Sequence, residues 1–67
     1  MQASIYFRMG DLVSDAGREY GIMLADVDSD SDFLIVDWQF SGKELIHYTS
    51  ARADSIRCIA PATLNVA

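Results

Sequence analysis

The sequence predicts an all-β fold, a small barrel of five or six short strands. Apolar and polar residues alternate along several short runs, turn-forming residues separate these runs, and no run has the apolar spacing of a long helix. The 67 residues are close to the lower limit for one hydrophobic core. We therefore expect a single domain over residues 1–67, with its core over about 5–59 and a light tail at 60–67.

The predicted central strand is the longest apolar run, residues 33–40, which is rich in β-branched and aromatic side chains. Aspartate and serine residues precede it and a glycine turn follows it. The odd positions begin apolar, at Phe33 and Ile35, and become polar at Asp37 and Gln39, so this second face should be covered at one end only. The even positions are all apolar and should face the core: Leu34, Val36, Trp38 and Phe40.

Shorter elements are predicted on both sides of this strand. A strand over 20–27 should point Ile22 and Leu24 into the core, and its Gly21 indicates a bulge or a close approach of two backbones. The remaining elements, in chain order, are a strand at 5–9, a polar loop at 14–19, a hairpin partner at 44–49, a single helical turn at 50–54 and a last strand at 55–59.

The charge distribution narrows the classes of partner. Ten acidic and five basic residues give a net charge of −5. Phosphate backbones are bound mainly through lysine and arginine, so nucleic-acid binding is disfavoured, whereas a basic protein partner fits this charge. No apolar run approaches the roughly 20 residues that span a bilayer. Residues 1–4 lack the basic region of a signal peptide and the single cysteine cannot form an internal disulfide, so we expect a cytoplasmic protein.

An acidic run occupies every second position from Asp26 to Asp32. A calcium loop of the helix–loop–helix kind needs glycine at its sixth position and glutamate at its twelfth, and counting from Asp26 those positions are Ser31 and Asp37. The sequence therefore predicts neither a metal nor another cofactor. The run is interpreted as a solvated loop or, alternatively, as an acidic patch that binds a protein.

A catalytic function is not predicted. His47 and Cys58 are the only imidazole and the only thiol, both lie in alternating apolar runs, and no spacing indicates a third residue that would orient them. Tyr6 and Tyr48 alternate with residues assigned to the interior, so they are candidates for surface contacts. The predicted partner-binding residues are Tyr6, Asp26, Asp28, Asp30, Asp32, Asp37 and Tyr48.

The order of the elements resembles the Src-homology-3-like barrel, in particular short phage and prophage proteins of that type. Gly10-Asp11-Leu12-Val13, Tyr20-Gly21-Ile22-Met23-Leu24, Val36-Asp37-Trp38 and a final apolar strand at 56–59 carry the resemblance, which covers about residues 7–59. The Ala-Leu-Tyr-Asp-Tyr motif that holds proline-rich peptides in eukaryotic barrels is absent, as are the basic loops of ribosomal and transcription-factor barrels. Recognition of PxxP peptides or of RNA is therefore not implied.

The resemblance implies a phage accessory protein that docks on and inhibits a host protein, such as a defence nuclease complex with a basic nucleic-acid channel. The alternatives are a structural or assembly module of a virion or replication complex, and a protein that sequesters a small ligand. A homodimer is also expected, because a small barrel of short strands leaves an edge unpaired; alternatively, the N-terminal stretch closes its own barrel, the tail is frayed and the protein is a monomer. Residues 5–9 and the alternating segment 63–66 are the candidates for covering that edge.

Overall fold

Strand-forming runs separated by glycine turns give a chain whose regular structure, in the part described, consists of short strands and one 3-10 turn. The computed structural model describes residues 5–62, with only the backbone of Ile5. In this range no helix is long and apolar enough to cross a membrane. The elements are β1 (Ile5–Phe7), β2 (Leu12–Asp15), β3 (Tyr20–Met23), β4 (Val27–Asp28), β5 (Phe33–Trp38), β6 (Gly42–His47), a 3-10 turn (Ala53–Ser55) and β7 (Ile56–Ala60).

The strands form two antiparallel sheets. Five of them follow the order β6-β5-β3-β2-β7, and β1 pairs with β4 in a separate two-stranded sheet. The all-β prediction is confirmed. The predicted barrel is not closed within residues 5–62, because β6 and β7 form opposite edges and β1 pairs with β4 instead of joining them. Residues 5–7, which were expected to cover an edge of a second copy, are thus paired within the chain, and 63–66 lie outside the described residues.

The predicted hairpin between β5 and β6 is confirmed. Its register pairs Phe33 with His47, Ile35 with Leu45 and Asp37 with Lys43. Gly42 closes the turn with φ of +80°, a conformation that glycine adopts without the steric cost of a side chain. Because opposite residues of an antiparallel pair point to the same face, these three pairs share one surface of the sheet.

The core lies on the opposite face of β5. Alternation along this strand buries Leu34, Val36 and Trp38, as predicted. Phe40 was assigned to the same face and is instead 79% exposed, because β5 ends at Trp38 and the chain has already turned at residue 40. The buried apolar side chains are Val13, Met23, Val27, Leu34, Val36, Trp38, Ile46 and Ile56.

The face predicted for β3 is wrong. Gly21 and Met23 point into the core, whereas Ile22 is exposed and Leu24 is half-buried. The reason is the indole of Trp38, since a Cβ at position 21 would lie 2.6 Å from its Cε3 atom. Only glycine leaves room for this ring, so the close approach predicted for Gly21 is confirmed and it fixes the orientation of the strand.

The polar loop predicted at 14–19 is shorter than expected. β2 continues through Ser14 and Asp15, both of which are buried, and the turn is confined to the residues that follow. The buried Ser14 hydroxyl accepts a hydrogen bond of 2.9 Å from the Gly17 N–H. This bond takes the place of the hydrogen bond to water that the hydroxyl loses on burial. The predicted tail also begins late, because Ala60 belongs to β7 and the Ala62 N–H donates to Asp11 Oδ1 at 2.7 Å.

Candidate functional site

The most connected polar side chain in the described residues is Arg52, which precedes the 3-10 turn. Its Nη1 lies 2.9 Å from Asp15 Oδ1 on β2, and its Nη2 lies 2.9 Å from Glu44 Oε1 on β6. Trp38 Nε1 donates to the same Glu44 oxygen at 2.8 Å, and the guanidinium lies 5.5 Å from the centre of the indole. Ser55 completes the Asp15 site at 3.0 Å. This network joins strands that are not neighbours in the sheet, so its role is structural.

Because of this network, the free energy of unfolding should depend on pH in the acid range. Burial alone would raise the pKa of Asp15, but the Ser55 hydroxyl and the Arg52 guanidinium outweigh it and hold that pKa below its ordinary value of 3.8. A carboxyl whose pKa is lower in the folded state contributes stability that is complete above its unfolded pKa and is lost as pH falls through the folded one. Protonation of Asp15 should therefore weaken the fold below pH 3.8.

We expect Asp15→Asn to flatten this acid dependence. The variant should unfold more easily than wild type at neutral pH, because Arg52 loses a charged partner, and its free energy of unfolding should fall less between neutral and acid pH. Urea denaturation at several pH values measures both effects. The exposed Asp54 gives a matched control, since Asp54→Asn should keep the wild-type profile. Equal acid dependence in Asp15→Asn and wild type would contradict the assignment.

Most of the predicted binding residues meet at one end of the molecule. The rings of Tyr6 and Tyr48 stack with their centroids 5.4 Å apart and their planes at 23°. The Tyr48 N–H donates to the Asp32 carbonyl at 2.8 Å, and β1 pairs with β4 so that Ile5 lies opposite Asp28. The tyrosine pair therefore adjoins the acidic loop. We call this set the aromatic–acidic surface: Tyr6, Asp26, Asp28, Asp30, Asp32 and Tyr48.

Two of the loop aspartates shape the loop, and two are exposed without such a role. Asp26 Oδ1 accepts a hydrogen bond from the Met9 N–H at 2.9 Å. Asp28 Oδ1 accepts from the Asp30 N–H at 2.9 Å and from the Ser31 hydroxyl at 3.2 Å, so the loop is an ordered turn. Asp30 and Asp32 present their carboxylates to solvent. Within residues 5–62 no three His, Cys, Asp or Glu side chains are grouped to hold a metal ion.

The Tyr48 hydroxyl is an uncharged part of this contact surface at neutral pH. Burial, and then the neighbouring Tyr6, raise the pKa of Tyr48 above its ordinary value of 10.0. Its hydroxyl is therefore protonated at neutral pH and is able to donate a hydrogen bond. Tyr6 is 46% exposed, whereas Tyr48 is half-buried and packs against the core, which fixes the position of the stack.

Asp37, His47 and Cys58 lie elsewhere. Asp37 is opposite Ile22 and Lys43 on the surface of the five-stranded sheet, at the far end of β5 from the acidic loop. His47 ends β6 and Cys58 lies in β7, so the two residues considered for catalysis occupy opposite edges of the sheet. Cys58 is an exposed residue, but partial desolvation of its thiol, and then Asp11, raise the pKa of the thiol, which disfavours the thiolate.

The exposed surface of the hairpin corrects a prediction, because the second face of the central strand was expected to be covered at the end that carries Phe33 and Ile35. Phe33, Ile35 and Leu45 remain 44%, 36% and 61% exposed, and described residues leave them uncovered. The sequence indicated an apolar surface here, because the odd positions of the central strand begin with apolar residues that would need a cover at that end. We call this surface the outer hairpin face, and it comprises Phe33, Ile35, Asp37, Lys43, Leu45 and His47.

A shallow depression of about 460 Å³ lies beside the tip of the hairpin, lined by Asp15, Arg18, Glu19, Phe40 and Arg52. Its charged groups already have partners. Glu19 Oε1 accepts from the N–H groups of Phe40 and Ser41, both at 2.7 Å, and Glu19 Oε2 accepts from the Ser41 hydroxyl at 2.9 Å. These contacts hold the hairpin tip in place and leave little free bonding capacity for a small ligand.

Comparison of the chain with protein-family models, with curated proteins and with solved structures found no match. Function is therefore inferred from the geometry of the described residues.

Proposed function

We propose that the chain is a non-enzymatic binding protein that docks onto a basic surface of another protein through the aromatic–acidic surface. The observation that carries this proposal is the stacked pair of Tyr6 and Tyr48 beside the acidic loop. Tyrosine supplies a large, rigid contact area and a face for cation–π interaction with lysine or arginine. The exposed carboxylates of Asp30 and Asp32 are placed to pair with further basic groups around that centre.

The net charge of the chain also favours a basic partner. A net charge of −5 attracts a basic partner over distances comparable with the Debye length and so increases the association rate at low salt. Arg8 is the basic residue of the described chain nearest in sequence to Tyr6, and its single positive charge is outnumbered by the four aspartates of the aromatic–acidic surface. The surface therefore keeps a negative character.

A Src-homology-3-like fold and a phage origin form the more specific part of the proposal. The strands β2, β3, β5 and β6 neighbour one another in chain order, with β4 set apart in the second sheet, and a 3-10 turn then leads to β7, which pairs back to β2; this arrangement supports the kinship. Together with the acidic charge, the resemblance makes inhibition of a host defence or nucleic-acid-processing complex the function that we favour. In this role the aromatic–acidic surface would occupy a basic channel in the cytoplasm of the host cell.

An arginine-rich peptide is a defined probe for this surface. We expect its addition to shift the backbone NMR signals of Tyr6, Tyr48 and the loop from Asp26 to Asp32, and the shifts should weaken as salt is added. The double variant Asp30→Asn, Asp32→Asn should bind the peptide about fivefold more weakly, since each exposed ion pair contributes about 0.2–1 kcal/mol.

The matched control for the charge change is Asp54→Asn, an exposed aspartate outside this surface, which should bind as wild type does. Tyr6→Ser removes the outer ring of the stack and should also weaken binding, whereas Tyr20→Ser removes an exposed tyrosine of β3 and should not. Peptide shifts spread evenly over all acidic positions would contradict the proposal. Capture from bacterial lysate with the same variants then identifies a partner that depends on this surface.

A further inference from the structure

The outer hairpin face lacks a cover within the described residues, although it is apolar at its centre. Phe33 and Ile35 on β5 and Leu45 on β6 are exposed on one surface, and Ile35 lies directly opposite Leu45. Exposed apolar residues that form one contiguous patch on a soluble protein commonly mark an interaction site.

The charges on this face distinguish it from the rest of the chain. It carries one acidic residue, Asp37, and one basic residue, Lys43, which are cross-strand partners. The charges of Asp37 and Lys43 cancel, whereas the whole chain has a net charge of −5. A second copy of this acidic protein would be repelled at the acidic loop but not here. The outer hairpin face is therefore the part of the described surface best suited to contact the same face of a second copy.

The register of the hairpin makes the face self-complementary. Consider a two-fold axis that lies above the outer hairpin face and runs parallel to the strands, over the line midway between β5 and β6. This axis places β5 of one copy over β6 of the other, at the same level along the strands. Each residue then faces its own cross-strand partner from the second copy. Ile35 meets Leu45, Asp37 meets Lys43 and Phe33 meets His47, so apolar, charged and aromatic groups are all matched.

We propose that the outer hairpin face is the interface of a two-fold homodimer, in which β5 and β6 of two chains pack face to face. Packed sheets lie about 10 Å apart with their strands rotated by about 30°, which keeps side chains near the axis in contact. Two-fold symmetry is the commonest arrangement of homo-oligomers because one self-complementary patch serves both chains. The strands are short, so the dimer should be weak and should form at high protein concentration.

Charge reversal at the matched pair tests the two-fold arrangement. Wild type at millimolar concentration should have twice the 7.4 kDa mass of one chain by light scattering. Asp37→Lys places lysine against Lys43 of the second copy, and Lys43→Asp places aspartate against Asp37. Each variant alone should raise the dimer dissociation constant by about tenfold or more, because like charges then face each other across the interface.

An equimolar mixture of the two variants should restore the dimer. In the mixed pair one chain carries two lysines and the other carries two aspartates at the matched positions, so both contacts across the axis become attractive. Asp54→Lys makes the same charge change as Asp37→Lys at an exposed site outside the face, and it should stay dimeric. Circular dichroism of each variant confirms that the fold is retained before masses are compared.

A measurement on wild-type protein covers the case in which a variant fails to fold. In a mixture of isotope-labelled and unlabelled chains, filtered NMR should detect contacts between Ile35 of one copy and Leu45 of the other. A monomeric wild type, dimers unaffected by both charge reversals, or a mixture that remains monomeric would each overturn the proposal. The aromatic–acidic surface takes no part in these contacts, so the two proposals fail independently.

Discussion

An alanine in place of Trp38 is expected to remove a large part of the stability of the domain. The side chain is 2% exposed, and truncation of a buried tryptophan to alanine costs about 3–5 kcal/mol. A domain of this length has a total stability of only about 3–10 kcal/mol. The variant also loses the hydrogen bond to Glu44 and the surface over which Arg52 lies. Urea denaturation followed by circular dichroism measures the change.

Trp38→Phe separates packing from hydrogen bonding. Phenylalanine keeps most of the buried ring but lacks the Nε1–H group, and Glu44 retains its pair with Arg52. We expect this variant to fold, with a loss smaller than that of the alanine variant. If the alanine variant unfolded at the wild-type urea concentration, the assignment of Trp38 to the core would be wrong.

Gly21→Ala is expected to have the second largest effect, although it adds a single methyl group. The new Cβ would lie 2.6 Å from Trp38 Cε3, 2.7 Å from Val36 Cγ1 and 3.0 Å from the Asp37 carbonyl oxygen. The carbonyl belongs to the sheet, so it cannot move without breaking the pairing of β3 with β5. Overpacking of this kind costs about 1–3 kcal/mol or more, which denaturant unfolding resolves.

A change in the neighbouring strand provides the control. Val36→Ala removes the Cγ1 atom that the added methyl group would meet, so Gly21→Ala should cost less in that background than in wild type. A double-mutant cycle gives this coupling directly. Equal cost in the two backgrounds would show that the contact with Val36 Cγ1 does not contribute to the loss.

The central strand, the hairpin and the all-β class could be predicted because alternation and turn chemistry are local signals. The face of β3 could not, since its residues are apolar on both sides and the alternation is ambiguous. Ile22 and Leu24 are larger than Gly21, so size alone favoured burying them. The deciding fact is the position of the Trp38 ring, which lies on another strand and leaves room for no side chain at residue 21.

The residues of the candidate site were proposed from the sequence, but the way in which the fold brings them together was not. Chemistry identified Tyr6, Tyr48 and the aspartates as surface residues, and the pairing of β1 with β4 brings them together. Asp37 has the same chemistry but lies on the outer hairpin face. The Arg52 network gave no signal at all, because Ser55 and Asp15 are 40 residues apart in the chain and meet only in the folded protein.

The contacts of Glu19 have a consequence for the tolerance of the hairpin tip to substitution. Two of the three groups that Glu19 holds are main-chain N–H groups, at Phe40 and Ser41. Every residue except proline supplies such a donor. Evolutionary drift at position 40 is therefore limited by the exclusion of proline more than by the phenylalanine ring, which points into solvent. The side chain at position 40 is therefore free to vary, whereas Gly42 keeps the positive φ that closes the turn.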